Sequence, residues 1–273
     1  MTPKSPKRIK SQDDEGKLNL LKSLFDSIGQ VALFGARAIR DACVPPFECE
    51  YLLTQFYEIG VGSFFLIVAS GLALGVVMTL HTRSTLVQFG ATAEIPVFQS
   101  LAFFNEIGPL VAALLMAGRV GAGMGAQLAN MRATEQIDAI ETLSVDSFKL
   151  LVVTRVIACT VMLPLLTMFM DAAGILGGFL SEHIWSHLSW TLYMQRAFDG
   201  VALADFLPPT LKTAVFGYLI AVISCFYGYN TNEGSDGVRK AATNSVVISS
   251  LVIILADVIL VKCIFFLFPD QAI

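Results

Sequence analysis

"IGVGSFFLIVASGLALGVVMTL", Ile59 to Leu80, contains no charged residue. The hydrocarbon core of a bilayer takes about 20 consecutive apolar residues in helical form, so this run reads as a membrane span. Four further apolar runs follow. Val97 to Gly118 is interrupted by Asn105, Glu106 and Pro109. Leu150 to Leu180 carries Arg155 at one end, Pro164 inside and Asp171 beyond it. Leu207 to Tyr229 holds Lys212, and Val246 to Phe268 holds Asp257 and Lys262. With 55% hydrophobic and 15% charged residues over 273 positions, the chain lies outside the range of ordinary globular domains. The fold class is an all-α integral membrane protein with a five-span domain over 57–268. An odd number of spans puts the two termini on opposite sides of the membrane.

Lysine and arginine accumulate on the cytoplasmic side, and their distribution sets the orientation. With the N-terminus inside, that side gathers Lys4, Lys7, Arg8, Lys10, Lys17, Lys22, Arg37, Arg40, Arg119, Arg132, Lys149, Arg155, Arg239 and Lys240. The external loops keep only Arg83 and Arg196. The chain is thus expected to be multi-pass with a cytoplasmic N-terminus and the C-terminus across the membrane. The net charge of -4 says little about partners, since most of the surface faces lipid. No nucleic-acid partner is expected.

Residues 1–17, "MTPKSPKRIKSQDDEGK", are basic but have no apolar stretch before Asp13, Asp14 and Glu15, so they read as a disordered cytoplasmic tail rather than a signal peptide. In Leu18 to Ala42, polar residues recur at helical spacing on one stripe, while Leu21, Leu24, Phe25, Ile28 and Val31 take the other. Residues 18–46 are therefore expected to hold an amphipathic helix lying in the membrane interface and ended by Pro45 and Pro46. A soluble helix packed on a partner is the competing reading. Cys43 and Cys49 fall on the cytoplasmic side and Cys159, Cys225 and Cys263 inside spans, which argues against a disulfide framework.

Glycines recur at i, i+4 in three places: Gly71 and Gly75, Gly121 and Gly125, Gly174 and Gly178. Small residues at that interval let helices approach closely in lipid, and they suggest a tight bundle that includes a self-association face. The external segment, about 181–206, contains Trp185, Trp190 and Tyr193, as suits chain at headgroup level. It also holds His183 and His187, a helical i, i+4 pair with metal-ligand spacing but no convincing third ligand. A structural role for the pair is the favoured reading, and a metal enzyme the least favoured.

Charges within membrane spans are expensive and mark functional candidates. Glu106, in "FFNEIGPLVAALL", sits beside the helix discontinuity of Gly108 and Pro109, about one turn inside the external face. Lys212, near the same face, is its natural counter-charge. Arg119 can extend to the cytoplasmic interface. Asp171 and Asp257 lie deep in their helices and cannot be paired from sequence. No phosphate-binding loop, zinc helix or nucleophile elbow occurs, so the chain is not expected to be an enzyme. Uphill movement would draw on an ion gradient or on a separate subunit.

The polar stretch "MRATEQIDAIETLSVDSF" follows the small-residue run "GRVGAGMGAQLAN". Thr134 is placed to start a helix with Glu135 and Asp138 in its early turns, and Ile137, Ile140 and Leu143 share one side. A short amphipathic helix on the cytoplasmic face, about 131–144, is expected. It suits reception of force from a soluble ATPase, or is simply a solvated connection.

The run Asn105 to Asp146, "NEIGPLVAALLMAGRVGAGMGAQLANMRATEQIDAIETLSVD", resembles the signature of the MlaE (Yrb-type) ABC-transporter permeases, which work with MCE proteins in lipid transport. "E-x-G-P", then "GR" ten residues later, then "R-x-T-E-Q-x-D-A" carry the resemblance, which extends over nearly the whole chain. It implies a homodimer in a bacterial inner membrane, with an amphipathic elbow helix, cytoplasmic ABC ATPase subunits and a periplasmic MCE-domain protein. ATP and magnesium would sit on the partner, with no cofactor and no metal in this chain. Lipid, phospholipid above all, would occupy an outward-open cavity at the dimer interface. The positions matching lipid-contacting ones are Met78, Thr85, Leu86, Phe89, Glu106, Ile107 and Lys212. Those matching the coupling helix are Arg132, Thr134, Glu135, Gln136, Asp138 and Glu141. Two departures occur: Gln127 stands where a glutamate is usual, and Ser147 where a proline marks the next helix start. The alternative from the residues alone is an ion-gradient-driven secondary transporter or channel using Glu106 or Asp171.

Overall fold

The computed structural model describes residues 26–45, 48–199, 201, 203–231 and 234–267. Among them every regular element is helical. Helix α1 covers 26–42, and the expected tail and the first residues of the elbow segment lie outside the described residues. The five long helices are α2 (Cys49–Leu86), α3 (Thr92–Ala133), α5 (Lys149–Ser186), α7 (Leu203–Tyr229) and α8 (Gly234–Leu267). Two short helices intervene, α4 (Gln136–Thr142) after α3 and α6 (Trp190–Phe198) after α5. All five long helices have the length and hydropathy to cross a bilayer, as the apolar runs lead one to expect. Each alternates in direction, so α1 and α4 lie at one end of the bundle and the α2–α3 turn and α6 at the other.

In the apolar windows of α5 and α7, 61% of residues are buried, against 22% in α2 and 17% in α8, which makes α5 and α7 the centre and α2 and α8 the flanks. Ile67, Met116, Leu151, Leu163, Phe216 and Ile220 form the continuous core. Outward-facing side chains on the flanks, such as Phe65, Leu255 and Ile259, are apolar and largely exposed. A surface of that kind is stable only against lipid or another protein.

Close backbone contact joins α2 to α5. A Cβ on Gly75 would lie 2.0 Å from the Gly174 carbonyl oxygen, so neither position has room for a side chain. Gly121 and Gly125 are likewise covered by Ser224, Ser245 and Ser249 of α7 and α8. The three glycine pairs therefore serve contacts within the subunit, which corrects their reading as a face for self-association. Gln99 closes the same region. Its amide nitrogen reaches the carbonyl oxygens of Gly75 (3.3 Å) and Gly174 (3.2 Å), and its oxygen accepts from Thr79 and from Tyr193 (3.3 Å).

The long helices are not regular α throughout. Each of Tyr57–Val61 in α2, Phe103–Ile107 and Ala117–Gly121 in α3, and Lys149–Val153 at the start of α5 winds as a wider i→i+5 turn. Such single-turn widenings concentrate at functional positions.

At the α4 end, Thr134 does not start a helix. It ends α3, its hydroxyl donating to the Asn130 carbonyl at 2.8 Å, and α4 begins only after Glu135, whose φ of 57° is left-handed. Residues 131–133 belong to the long helix, so the separate amphipathic element is shorter than 131–144. The hydroxyl of Thr134 outcompetes its use as an N-cap by bonding back one turn. Nor does Ser147 leave α5 without a start signal: Asp146 accepts the Lys149 amide at 3.2 Å and caps it. In α1, Val31, Phe34, Gly35 and Ala38 face the bundle, while Ile28 and Leu33 are exposed. Of the apolar stripe expected from the sequence, Leu21, Leu24 and Phe25 lie outside the described residues, Val31 packs on the bundle and Ile28 is exposed, while Phe34 stacks edge-on against Phe148 and Phe226.

Candidate functional site

Pro109 lacks an amide proton, so the Asn105 carbonyl one turn earlier loses its helical partner. The wide turn Phe103–Ile107 presents that carbonyl and Glu106 toward α7. Lys212 of α7 fills the gap. Its Nζ donates to Asn105 O at 3.1 Å and to Glu106 Oε2 at 2.9 Å, and it lies 3.0 Å from Asp257 Oδ1 of α8. Only 2% of the Lys212 side chain is exposed, against 42% for Glu106 and 8% for Asp257. One buried cation therefore joins three helices through two acids and a carbonyl, and Glu106 is the member that opens outward. The Asp257 contact is an ion pair of short distance without hydrogen-bond alignment, since Oδ1 has no hydrogen-bond partner.

Two of the seven expected lipid positions, Glu106 and Lys212, are thus in direct contact. Ile107 is half-buried beside them in sequence. Met78, Thr85, Leu86 and Phe89 fall on one stripe of α2 and its terminal turn, at intervals of seven, one and three. Met78 and Leu86 are half-buried, Thr85 is exposed, and Phe89 is 77% exposed. Within one chain this stripe is partly covered at Met78 and Leu86 and open at Thr85 and Phe89. Asp257, which sequence reasoning left unpaired, completes the cluster. Its only signal was that it is a charge in an apolar span.

The six expected coupling positions divide by their partners. Arg132 Nη1 donates to Asp138 at 2.6 Å. Glu141 accepts from the Ser147 hydroxyl at 2.7 Å and from the Tyr229 hydroxyl at 3.3 Å, which ties α4 to the end of α7. Those hydrogen bonds, with the Ser147 hydroxyl first, hold the Glu141 carboxyl below its ordinary value. Thr134, Glu135 and Gln136 are exposed at the junction of α3 and α4, while Ile137 is fully buried and anchors α4 to the bundle.

Two further polar contacts went unseen in the sequence. Arg155 is fully buried, donating to Leu151 O at 2.5 Å and to Gln127 Oε1 at 3.1 Å. Gln127, the departure noted above, is thus a neutral partner for a buried cation. At the other end Arg83 pairs with Glu182 at 2.9 Å. His183 Nδ1 donates to Leu188 O at 3.0 Å and its ring stacks on Phe179. Among the described residues no three His, Cys, Asp or Glu side chains converge to hold a metal. Cys43, Cys49, Cys159, Cys225 and Cys263 are all free thiols.

Fold and site together define a multi-pass helical membrane protein whose bundle encloses a charged cluster. The chain belongs to the Permease MlaE family, whose sequence model matches residues 52–263. It is 35% identical to a probable ABC transporter permease protein of Rickettsia typhi, over 88% of this chain and 92% of that one. It is 34% identical to a probable ABC transporter permease protein of Synechocystis, covering 75% and 78% of the two chains. To the intermembrane phospholipid transport system permease protein MlaE of Haemophilus influenzae it is 32% identical, covering 78% and 82%.

Proposed function

We propose that this chain is the permease subunit of an ATP-driven phospholipid transporter, working as a homodimer in a bacterial inner membrane with its N-terminus in the cytoplasm. The observation that carries the reading is the Glu106–Lys212–Asp257 cluster: a charged group within an apolar bundle, open to the outside only at Glu106. A phospholipid needs apolar walls for its tails and fixed charge for its headgroup. The stripe Met78, Thr85, Leu86 and Phe89, with Ile107, supplies the apolar wall, and a second copy of the chain would close it into an outward-open cavity. ATP and magnesium are held by separate ABC ATPase subunits, which engage α4, and an MCE-domain protein receives or delivers lipid on the periplasmic side. Membership of a permease family, and the names of the relatives, support a division of labour in which this chain does no hydrolysis.

On this reading Thr134, Glu135 and Gln136 meet the ATPase, while the Arg132–Asp138 and Glu141–Tyr229 contacts carry its movement into α3 and α7. Affinity purification in mild detergent should recover an ATPase and an MCE-domain protein with the chain. Glu135→Lys should release the ATPase or abolish its stimulation while insertion is kept. In reconstituted vesicles, movement of a fluorescent phospholipid should require ATP. Movement without nucleotide that follows an imposed pH gradient would instead assign the chain to secondary transport.

A further inference from the structure

Toward the α4 end, α2 and α3 carry a second pair of opposite charges that the Glu106–Lys212–Asp257 cluster does not use. Ile107, Val111, Leu114 and Gly118 recur at intervals of four and three, which at about 100° per residue is one stripe of α3. The first three are half-buried, and Gly118 is exposed, with open space where a Cβ would stand. Next to Gly118, the wide turns Ala117–Gly121 of α3 and Tyr57–Val61 of α2 both contribute walls to a cavity of about 280 Å³. Glu58 and Arg119 line it as exposed side chains. Arg119 lies across α2 where Gly62 leaves it room, since a Cβ there would sit 3.0 Å from Nη2. Although the two charges share one cavity, neither forms an ion pair or a hydrogen bond with the other or with any other described residue. Gln55, only 4% exposed, lines the same cavity with its carboxamide unpartnered among the described residues.

Glu58 directly precedes the apolar run Ile59–Leu80, and Arg119 directly follows the run Val97–Gly118, so both stand at the same edge of the hydrocarbon core. An acid and a base left apart on one face are self-complementary under a two-fold axis: each copy offers its acid to the other's base, and the pairing is made twice. A glycine beside them lets two α3 backbones come close. An outward-open cavity between two copies also requires that they meet at its inner end, and Gly118 is where the stripe that starts at Ile107 arrives there. We infer that a second copy of this chain seats on this surface, with Glu58 of each copy paired to Arg119 of the other, and that the two pairs close the floor of the cavity. The inference rests on the homodimer reading above and adds to it the contact surface and the charges that fix it.

Glu58→Arg and Arg119→Glu chains, carrying tags of different mass, are co-expressed, purified in mild detergent and counted as dimers by native mass spectrometry. The first chain then has arginine at both positions and the second has glutamate at both. Combined, they restore both pairs, whereas either one combined with itself sets like charges together. Mixed dimers should outnumber the two self-paired kinds together about fivefold or more, where random assortment gives equal numbers. A pair confined within one chain predicts no such preference. In a second measurement, one tagged chain carries Glu58→Cys and the other Arg119→Cys, both with Cys43→Ser, Cys49→Ser and Cys263→Ser to remove the exposed thiols. A short bismaleimide should join them in native membranes, well above the level reached by Glu58→Cys opposite Val161→Cys, an exposed position on α5. Random assortment of the charge variants, or no joining across 58 and 119 above the Val161 level, overturns the inference and leaves the homodimer reading standing. Tagged wild-type chains that never occur in one particle overturn both.

Discussion

Lys212 lies against both Glu106 and Asp257, and its removal leaves Asp257, only 8% exposed, without its cationic partner. Breaking a buried ion pair from one side costs more than removing it whole. Lys212→Met should therefore lower stability by about 3 kcal/mol, and adding Asp257→Asn should recover part of that loss, both read from thermal unfolding in detergent. A double variant no better than the single one would show that Asp257 does not depend on Lys212. At the α4 end, the Ser147 and Tyr229 hydroxyls favour the ionised form of Glu141. Because the folded carboxyl is held below its ordinary value of 4.5, the contact is fully present above that pH and is lost as pH falls through the lower folded value. Backbone exchange in α4, corrected for its intrinsic pH dependence, should rise as pH drops below 4.5, and Glu141→Gln should flatten that response. The Glu106–Lys212 contact was legible in the sequence, since both are isolated charges near the same end of apolar runs. Asp257 and Asp171 were not assignable, because which helices neighbour one another is decided by packing that no single run records.

Where helix α2 crosses α5 at Gly75 and Gly174, backbone lies against backbone with no room for a side chain. Gly75→Ala forces a methyl group within 2.0 Å of the Gly174 carbonyl, where no flexible side chain can move aside. Overpacking of this kind should destabilise by about 3 kcal/mol, visible as a lower unfolding temperature by fluorescence-detected chromatography. Gly123→Ala, where a Cβ meets nothing within 4 Å, should leave that temperature unchanged. The apolar runs located all five spans, because hydropathy reports the part of a helix that must sit in lipid. They understated helix length: Ile59–Leu80 became Cys49–Leu86, since helix continues past the bilayer core wherever capping and packing allow. Thr134 misled for a similar reason. A hydroxyl can cap the next helix or bond back into the preceding one, and only the left-handed Glu135 decides between them.

Taken whole, the bundle has a well-packed centre and two sparsely buried apolar flanks, which are stable only in apolar surroundings. What links its two ends is helix α3, which carries Glu106 toward one and Arg132 toward the other, and which twice widens from the regular winding. Each widening amounts to one surplus residue accommodated in a single turn. A one-residue deletion, ordinarily ruinous in a membrane span, should here be absorbed: removing Phe104 would return the segment to regular winding with every backbone amide still bonded. The price is register, about 100° of rotation between the two parts of α3, enough to swing Glu106 away from Lys212. The shortened chain should insert and unfold cooperatively, as tested by membrane fractionation and melting in detergent, yet lose phospholipid movement in vesicles. Insertions and deletions, more than substitutions, are then the changes by which such a permease would gain or lose its site without losing its fold.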